Sequence, residues 1–310
     1  MKFLRAARLH SAALLLSLTQ IGWVELQRGD ARPSRAVDED QVQKLYQDGL
    51  GLAFGLGTAD PNDTPHLRIE QGIPAQAARE GNLRFWRLAT YPLEYASGGE
   101  GRTIRLDVTA SGFAQRNTWR NRPAYLADLL DFGDQEFTAY VRVHNIVDPQ
   151  RAAITLKIRG GEHTASDPGL ASCTMMTFAS SRATSVSRFG KELDHPLYDY
   201  VELPLHHSAE LTDGKWVGLK LVSFHDPGHA DRIIYRLYVD AAPFAADGTP
   251  RNDFHLLSDY IDRAGVSTGK YSTLVDWGGA LSTLRVDGVE TVDVAILSVR
   301  TISGLANPGA

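Results

Sequence analysis

Two short runs hold the side chains best suited to chemistry. Arg159-Gly160-Gly161-Glu162-His163 follows an apolar stretch, and Lys191-Glu192-Leu193-Asp194-His195-Pro196-Leu197-Tyr198 lies some thirty residues further on. Cleavage of a uronate polymer by β-elimination needs a cation to neutralise the carboxylate, a base for the C5 proton and an acid for the leaving oxygen. Arg159 or Lys191 suits the first role. His163, His195 and Tyr198 suit the proton transfers, because histidine titrates near neutrality and a phenol can relay a proton. Glu192 stands beside them as a substrate-binding candidate. Hydrolysis would instead need two carboxyl groups about 5–10 Å apart. Glu162, Glu192 and Asp194 are the nearest candidates, and their spacing proves no pair.

Other candidates come from alternating strands. In Glu136–Asn145, residues Tyr140, Arg142 and His144 share the polar face, and in Ile154–Arg159 that face carries Lys157 and Arg159. A second pair of runs sets Lys220 beside Arg236 and Tyr238. Guanidinium groups bind carboxylates or sulfates bidentately, and tyrosines offer flat faces to sugar rings. The competing reading is a solvated outer sheet face, where such residues are common.

The elements that must position these groups read as strands. Phe137, Ala139, Val141 and Val143 alternate with polar neighbours, as do Ile154, Leu156 and Ile158. The short connection between these runs predicts an antiparallel pair. Trp216–Phe224 and Arg232–Asp240 predict a second pair, and Ser282–Asp287 and Val292–Arg300 close the chain. Val37–Leu50 suits a short helix, while Phe254–Arg263 suits a strand or one helical turn. Short strands divided by turn signals imply an all-β protein, a two-sheet antiparallel β-sandwich with few short helices. The expected organisation is a signal peptide or arm over residues 1–36, an extension over 37–82 that packs on the sandwich, and the sandwich over 83–310.

With 310 residues the chain can bury a substantial core. A net charge of -5 argues against a general nucleic-acid binder. Lys2, Arg5 and Arg8 precede an apolar run and then small residues, the layout of a secretory signal, so a secreted or periplasmic location is expected. That run is too short and interrupted to span a bilayer. The single Cys173 excludes an intramolecular disulfide and suits a small buried hydrophobe. No phosphate-binding loop, nucleophile elbow, zinc-protease motif or dinucleotide fingerprint is present, so no cofactor is implied. Asp240, Asp247, Asn252 and Asp253 could supply oxygen ligands to a structural calcium ion.

Three pieces together resemble a concanavalin A-like jelly roll. They are Phe137–His144 with Ile154–Arg159, Trp216–Phe224 with Tyr235–Asp240, and the closing Val292–Ile302. The resemblance covers roughly residues 83–303 and is one of architecture. It implies a carbohydrate-active protein, either a polysaccharide lyase or a lectin-like binder, with an anionic polysaccharide as partner. The acidic E-x-D-x-x-E arrangement of the glucanases is absent. So are clean copies of the R-x-E-x-R, Q-(I/V)-H and Y-x-K-x-G-x-Y strands of the alginate lyases. No catalytic residue is therefore carried over from the resemblance.

Overall fold

A computed structural model describes residues 41, 48–55, 66–70, 74–95, 98–109, 132–161, 172–180, 185–195 and 197–302, with backbone only for 48–55, 70 and 194. In chain order the strands are β1 (Asp48–Gly55), β2 (Leu67–Glu70), β3 (Gln76–Glu80), β4 (Leu83–Ala89), β5 (Tyr91–Glu94), β6 (Glu100–Thr109), β7 (Gln135–Ile146) and β8 (Ala153–Gly160). They continue with β9 (Cys173–Ala179), β10 (Val186–Asp194), β11 (Leu197–Leu203), β12 (Trp216–His225), β13 (Arg232–Asp240), β14 (His255–Arg263), β15 (Leu281–Asp287) and β16 (Val289–Ile302). Two eight-stranded antiparallel sheets result. The first runs β14-β13-β12-β7-β16-β4-β3, with β1 also paired to β16. The second runs β11-β10-β9-β8-β15-β6-β2, with β5 also paired to β6.

The protein is thus an all-β sandwich, consistent with a jelly roll. Among the described residues there is no helix. Asp48–Leu50, the end of the expected helix, opens strand β1, and Phe254–Arg263 resolves into β14. The basic and apolar amino-terminal run, residues 37–40 and 42–47 of that helix and the Glu162-His163 pair lie outside the described residues.

Alternation decides which side chains meet. Phe137, Ala139, Val141 and Val143 of β7 turn inward, as do Ile154, Leu156 and Ile158 of β8, and all join one core cluster. Each fully buried aliphatic side chain there contributes about 1.5–3 kcal/mol of transfer free energy. Strand β16 keeps its apolar side inward only because its register on β7 slips between Val294 and Ile296. Before that bulge Val292 and Val294 are core residues. After it Leu297 and Val299 are, and Ile296 turns outward onto Tyr140.

One predicted pairing is wrong. Strand β12 does pair with β13, but β7 and β8 lie in different sheets. The connection between them crosses from sheet to sheet, so β7 pairs with β12 and β16 while β8 pairs with β9 and β15. Six residues, 147–152, are enough for that crossing. Arg151 and Ala152 both donate their N–H groups to the Asp148 carbonyl, and Val147 and Asp148 donate theirs to the Gly288 carbonyl.

Gly288 is the turn through which β15 crosses to β16, so two crossings pack against each other. Its φ is +73°, and a Cβ there would lie 2.6 Å from the Ala152 nitrogen. Conformation and space both demand glycine. Gly288→Ala should cost roughly 1–3 kcal/mol from backbone strain alone, read as a lower urea midpoint with an unchanged slope. An unchanged midpoint would mean that the crossing is not tightly packed.

Candidate functional site

Because Ile154, Leu156 and Ile158 point into the core, their neighbours Ala153, Thr155 and Lys157 must emerge on the other side of the second sheet. Register carries this row across the sheet. Thr155 stands opposite Thr177 on β9 and opposite Arg285 on β15, and Thr177 stands opposite Arg188 on β10. A groove of about 500 Å³ lies on this outer face. Arg151, Arg188 and Arg285 line it together with Tyr95, Tyr198 and Tyr200, and Asp287 is the one acidic residue in its lining. The local excess of positive charge contrasts with the net -5 of the whole chain.

Arg285 is held from both sides. Its Nε and Nη2 donate to the two carboxylate oxygens of Asp287 at 2.7 and 2.9 Å, and its Nη1 donates to the Tyr198 hydroxyl at 3.2 Å. The Tyr95 hydroxyl reaches Asp287 from the other end at 3.4 Å. Burial pushes the Tyr95 phenol up to about 12. It also raises that of Tyr198, so both remain protonated near neutrality.

Beneath Tyr198 lies a buried charged cluster. Lys157 Nζ donates to Glu192 at 2.7 Å, and Nδ1 of His195 lies 2.6 Å from the other Glu192 oxygen. The Lys157 ammonium sits 5.2 Å from the centre of the Tyr198 ring. Burial opposes the charge on Lys157, yet its pKa is held above the ordinary lysine range, with the Glu192 carboxylate as its counter-ion. Burial pushes the Cys173 thiol up to about 12, so it stays protonated and donates to Glu192 at 3.5 Å. Such a thiol is a packing group, because the thiolate is the reactive form.

The candidates named from sequence divide into four groups. Lys157, Glu192, His195 and Tyr198 gather on the outer face of the second sheet. Lys191 to Asp194 end β10 and Leu197 opens β11, so this run forms the hairpin between those two strands.

Arg159 and Lys191 do not join them. Arg159 has a φ of 54°, which takes its side chain out of the alternation. Its guanidinium is fully buried and donates to Ser223, to the Trp277 carbonyl and, at 2.7 Å, to Asp134. Lys191 shares the inward parity of core residue Phe189 and donates to Asp262 of the first sheet at 2.8 Å and to the Thr273 carbonyl at 2.6 Å.

Tyr140, Arg142, His144, Arg236 and Tyr238 belong to the first sheet and emerge on its outer face, on the far side of the sandwich. Tyr140 is buried beneath Phe244 and Phe254. Arg142 and His144 contact the Asp293 carboxylate at 3.0 and 2.7 Å, and Arg87 binds it bidentately at 2.7 and 2.8 Å. Arg236 lies over the Phe224 ring, and Tyr238 packs against the same small apolar cluster. His163 lies outside the described residues.

Sequence reasoning passed over Tyr95, Arg151, Arg188, Tyr200, Arg285 and Asp287. The signal for two of them was present. Thr283, Arg285 and Asp287 alternate with Leu284 and Val286, which marks a strand with one polar face. Asp240 accepts from the backbone N–H groups of Ala242 and Asp253, and Asp247 accepts from Thr249. Among the described residues no group of three or more His, Cys, Asp or Glu side chains is placed to hold a metal. Nor, among those residues, is any helix long and apolar enough to cross a membrane.

No family model matches the chain, and no curated protein does. Among solved structures, the exoplasmic/lumenal domain of VIP36 is similar over 79% of this chain and 88% of its own, with 8% identity and a TM-score of 0.40. Peanut lectin is similar over 81% and 96%, with 9% identity and a TM-score of 0.40. A marine alginate lyase of Aplysia kurodai is similar over 75% and 90%, with 8% identity and a TM-score of 0.39.

Two measurements check the assigned roles. Burial pushes the Asp293 carboxyl up, but hydrogen bonds from Arg87, His144 and Arg142 outweigh it and hold its pKa below the ordinary value. Its stabilisation is therefore full above about pH 4, the unfolded value, and is lost as pH falls through the lower folded value. Urea titrations across the acid range should show a shallower loss of stability in Asp293→Asn than in the wild type. Lys191→Ala should cost about 3–5 kcal/mol by leaving Asp262 unpaired, and Lys191→Met with Asp262→Leu should recover much of it. If the single and double variants unfold alike, the pair does not hold the two sheets together.

Proposed function

We propose that the groove on the outer face of the second sheet binds an anionic polysaccharide and cleaves it by β-elimination. The observation that carries this reading is the lining itself, three arginines and three tyrosines against one aspartate. Guanidinium groups match carboxylates bidentately, and tyrosine faces suit sugar rings. The acidic net charge of the chain argues against a general nucleic-acid binder. The basic-then-apolar amino terminus supports export to where such polymers are met.

In this reading Arg188 and Arg285 face the uronate carboxylate and withdraw charge from it, which acidifies the C5 proton. His195, held by Glu192, is the base that takes this proton. The C5 electron pair forms the C4–C5 double bond, the C4–oxygen bond breaks, and Tyr198 gives its phenolic proton to the departing oxygen. Burial keeps that proton in place at neutral pH. Lys157 and Glu192 lie under the ring as a fixed ion pair.

A second reading, binding without cleavage, is favoured by one feature. The charged groups nearest Tyr198 already satisfy one another, Lys157 with Glu192 and Arg285 with Asp287.

Purified protein would be run through gels containing alginate, pectate or a neutral glucan, and incubated with each polymer while the ultraviolet absorbance of an unsaturated product is followed. Retardation by acidic polymers together with rising absorbance is expected. Tyr198→Phe should lower turnover about 10²–10⁴-fold with retention kept. Arg188→Gln should weaken retention about tenfold or more, the loss of one charge-assisted hydrogen bond. Retention without product selects the binding-only reading. No retention by any acidic polymer removes both.

A further inference from the structure

The tyrosines of the groove do not merely project into it. Each outer one lies on a glycine. A Cβ on Gly190 would come within 2.6 Å of the Tyr200 ring, and one on Gly101 within 1.9 Å of the Tyr95 ring. Tyr200 is thereby laid against the sheet beside Tyr198, with the two rings parallel to within 5° and their centres 6.0 Å apart. Tyr200 remains 42% exposed despite this seat.

On the other side Tyr95 is fixed by a cation. The Arg151 guanidinium lies 4.5 Å from the centre of the Tyr95 ring, and its Nη atoms donate to the carbonyls of Gly98 and Glu100. Backbone carbonyls and the ring face hold it there, with an Asp148 oxygen 3.8 Å from its Nε.

The two aromatic seats flank the Arg285–Asp287 pair. Contacts run in an unbroken order from Tyr95 to Asp287, to Arg285 and to Tyr198, with Tyr200 beside it. Strand order agrees. Tyr95 follows β5, which pairs with β6 on one side of β15, while Tyr200 belongs to β11 beyond β8, β9 and β10 on the other. The Tyr95 ring and the Tyr198–Tyr200 pair thus lie on opposite sides of Arg285.

We infer that Gly101 and Gly190 are specificity-determining residues, and that the groove recognises a run of at least three sugar units. The middle unit carries the acid group to Arg285, and its two neighbours lie on Tyr95 and on the Tyr198–Tyr200 floor. This inference rests on the proposed saccharide binding and adds to it the length of the ligand and the placement of its charge.

Calorimetric titration of the full chain with galacturonate or mannuronate as monomer, dimer, trimer and longer oligomers tests it. Affinity should rise steeply up to the trimer and level off beyond it. Gly101→Ala and Gly190→Ala should each weaken trimer binding about tenfold, the loss of one ring contact worth roughly 1.4 kcal/mol, while leaving monomer binding nearly unchanged. Tyr95→Leu and Tyr200→Leu remove the same faces without crowding the sheet, and should reproduce the loss if a glycine variant fails to fold. Trimer binding that is unaffected in the tyrosine variants, with Arg188→Gln still weakening it, overturns the two-seat arrangement and leaves the binding groove standing. Equal affinity for monomer and trimer also overturns it. Failure of the wild type to bind any oligomer or polymer overturns the proposed function, and this inference with it.

Discussion

The arrangement of two sheets around one core decides where every functional group can stand. Each strand gives one face to the shared interior, so its other face must look outward, and the two sheets look in opposite directions. Packed sheets stand about 10 Å apart, and side chains add to that separation. Outward-facing polar residues on strands of different sheets therefore cannot converge, whatever their distance in sequence. Crossing of the chain between β7 and β8 is the step that separates Arg142 and His144 from Lys157, although the two strands are consecutive.

Charges on this scaffold are buried in matched sets. Lys157 with Glu192, Lys191 with Asp262 and Arg159 with Asp134 each combine at least one fully buried partner with a direct ion contact. An unpaired charge in such places would be costly. These pairs fix side chains more than they stabilise the fold, and rigidity is what a groove needs if its aromatic faces are to keep their spacing. Small residues complete the device. The absence of a Cβ at Gly101 and Gly190 lets aromatic rings lie down on the sheet where any other residue would lift them.

Most of the strand texture was legible in the sequence. Alternation in Phe137–His144, Ile154–Arg159 and Trp216–Phe224 identified strands and their inward residues, because a period of two leaves little choice about which side is apolar. The same logic exposes its limits at Arg159 and Ile296. A left-handed backbone at one and a bulge at the other change parity, and neither leaves a mark in residue type. Lys191 shows a related limit. Its parity was inward from the start, since it shares that of Phe189, yet a lysine is read as outward until Asp262 is seen waiting for it across the core.

By itself the sequence determined an all-β chain, the inward faces of its main strands, and one run in which Glu192, His195 and Tyr198 do stand together. Local side-chain period and turn residues carry that much, since they act over a few residues. Sheet membership, the partners of each buried charge and the composition of the groove were decided only in three dimensions. Tyr95, Arg188 and Arg285 are far apart along the chain and meet through strand order. That order follows from which crossings pack the apolar faces together, a property of the whole sandwich rather than of any strand within it.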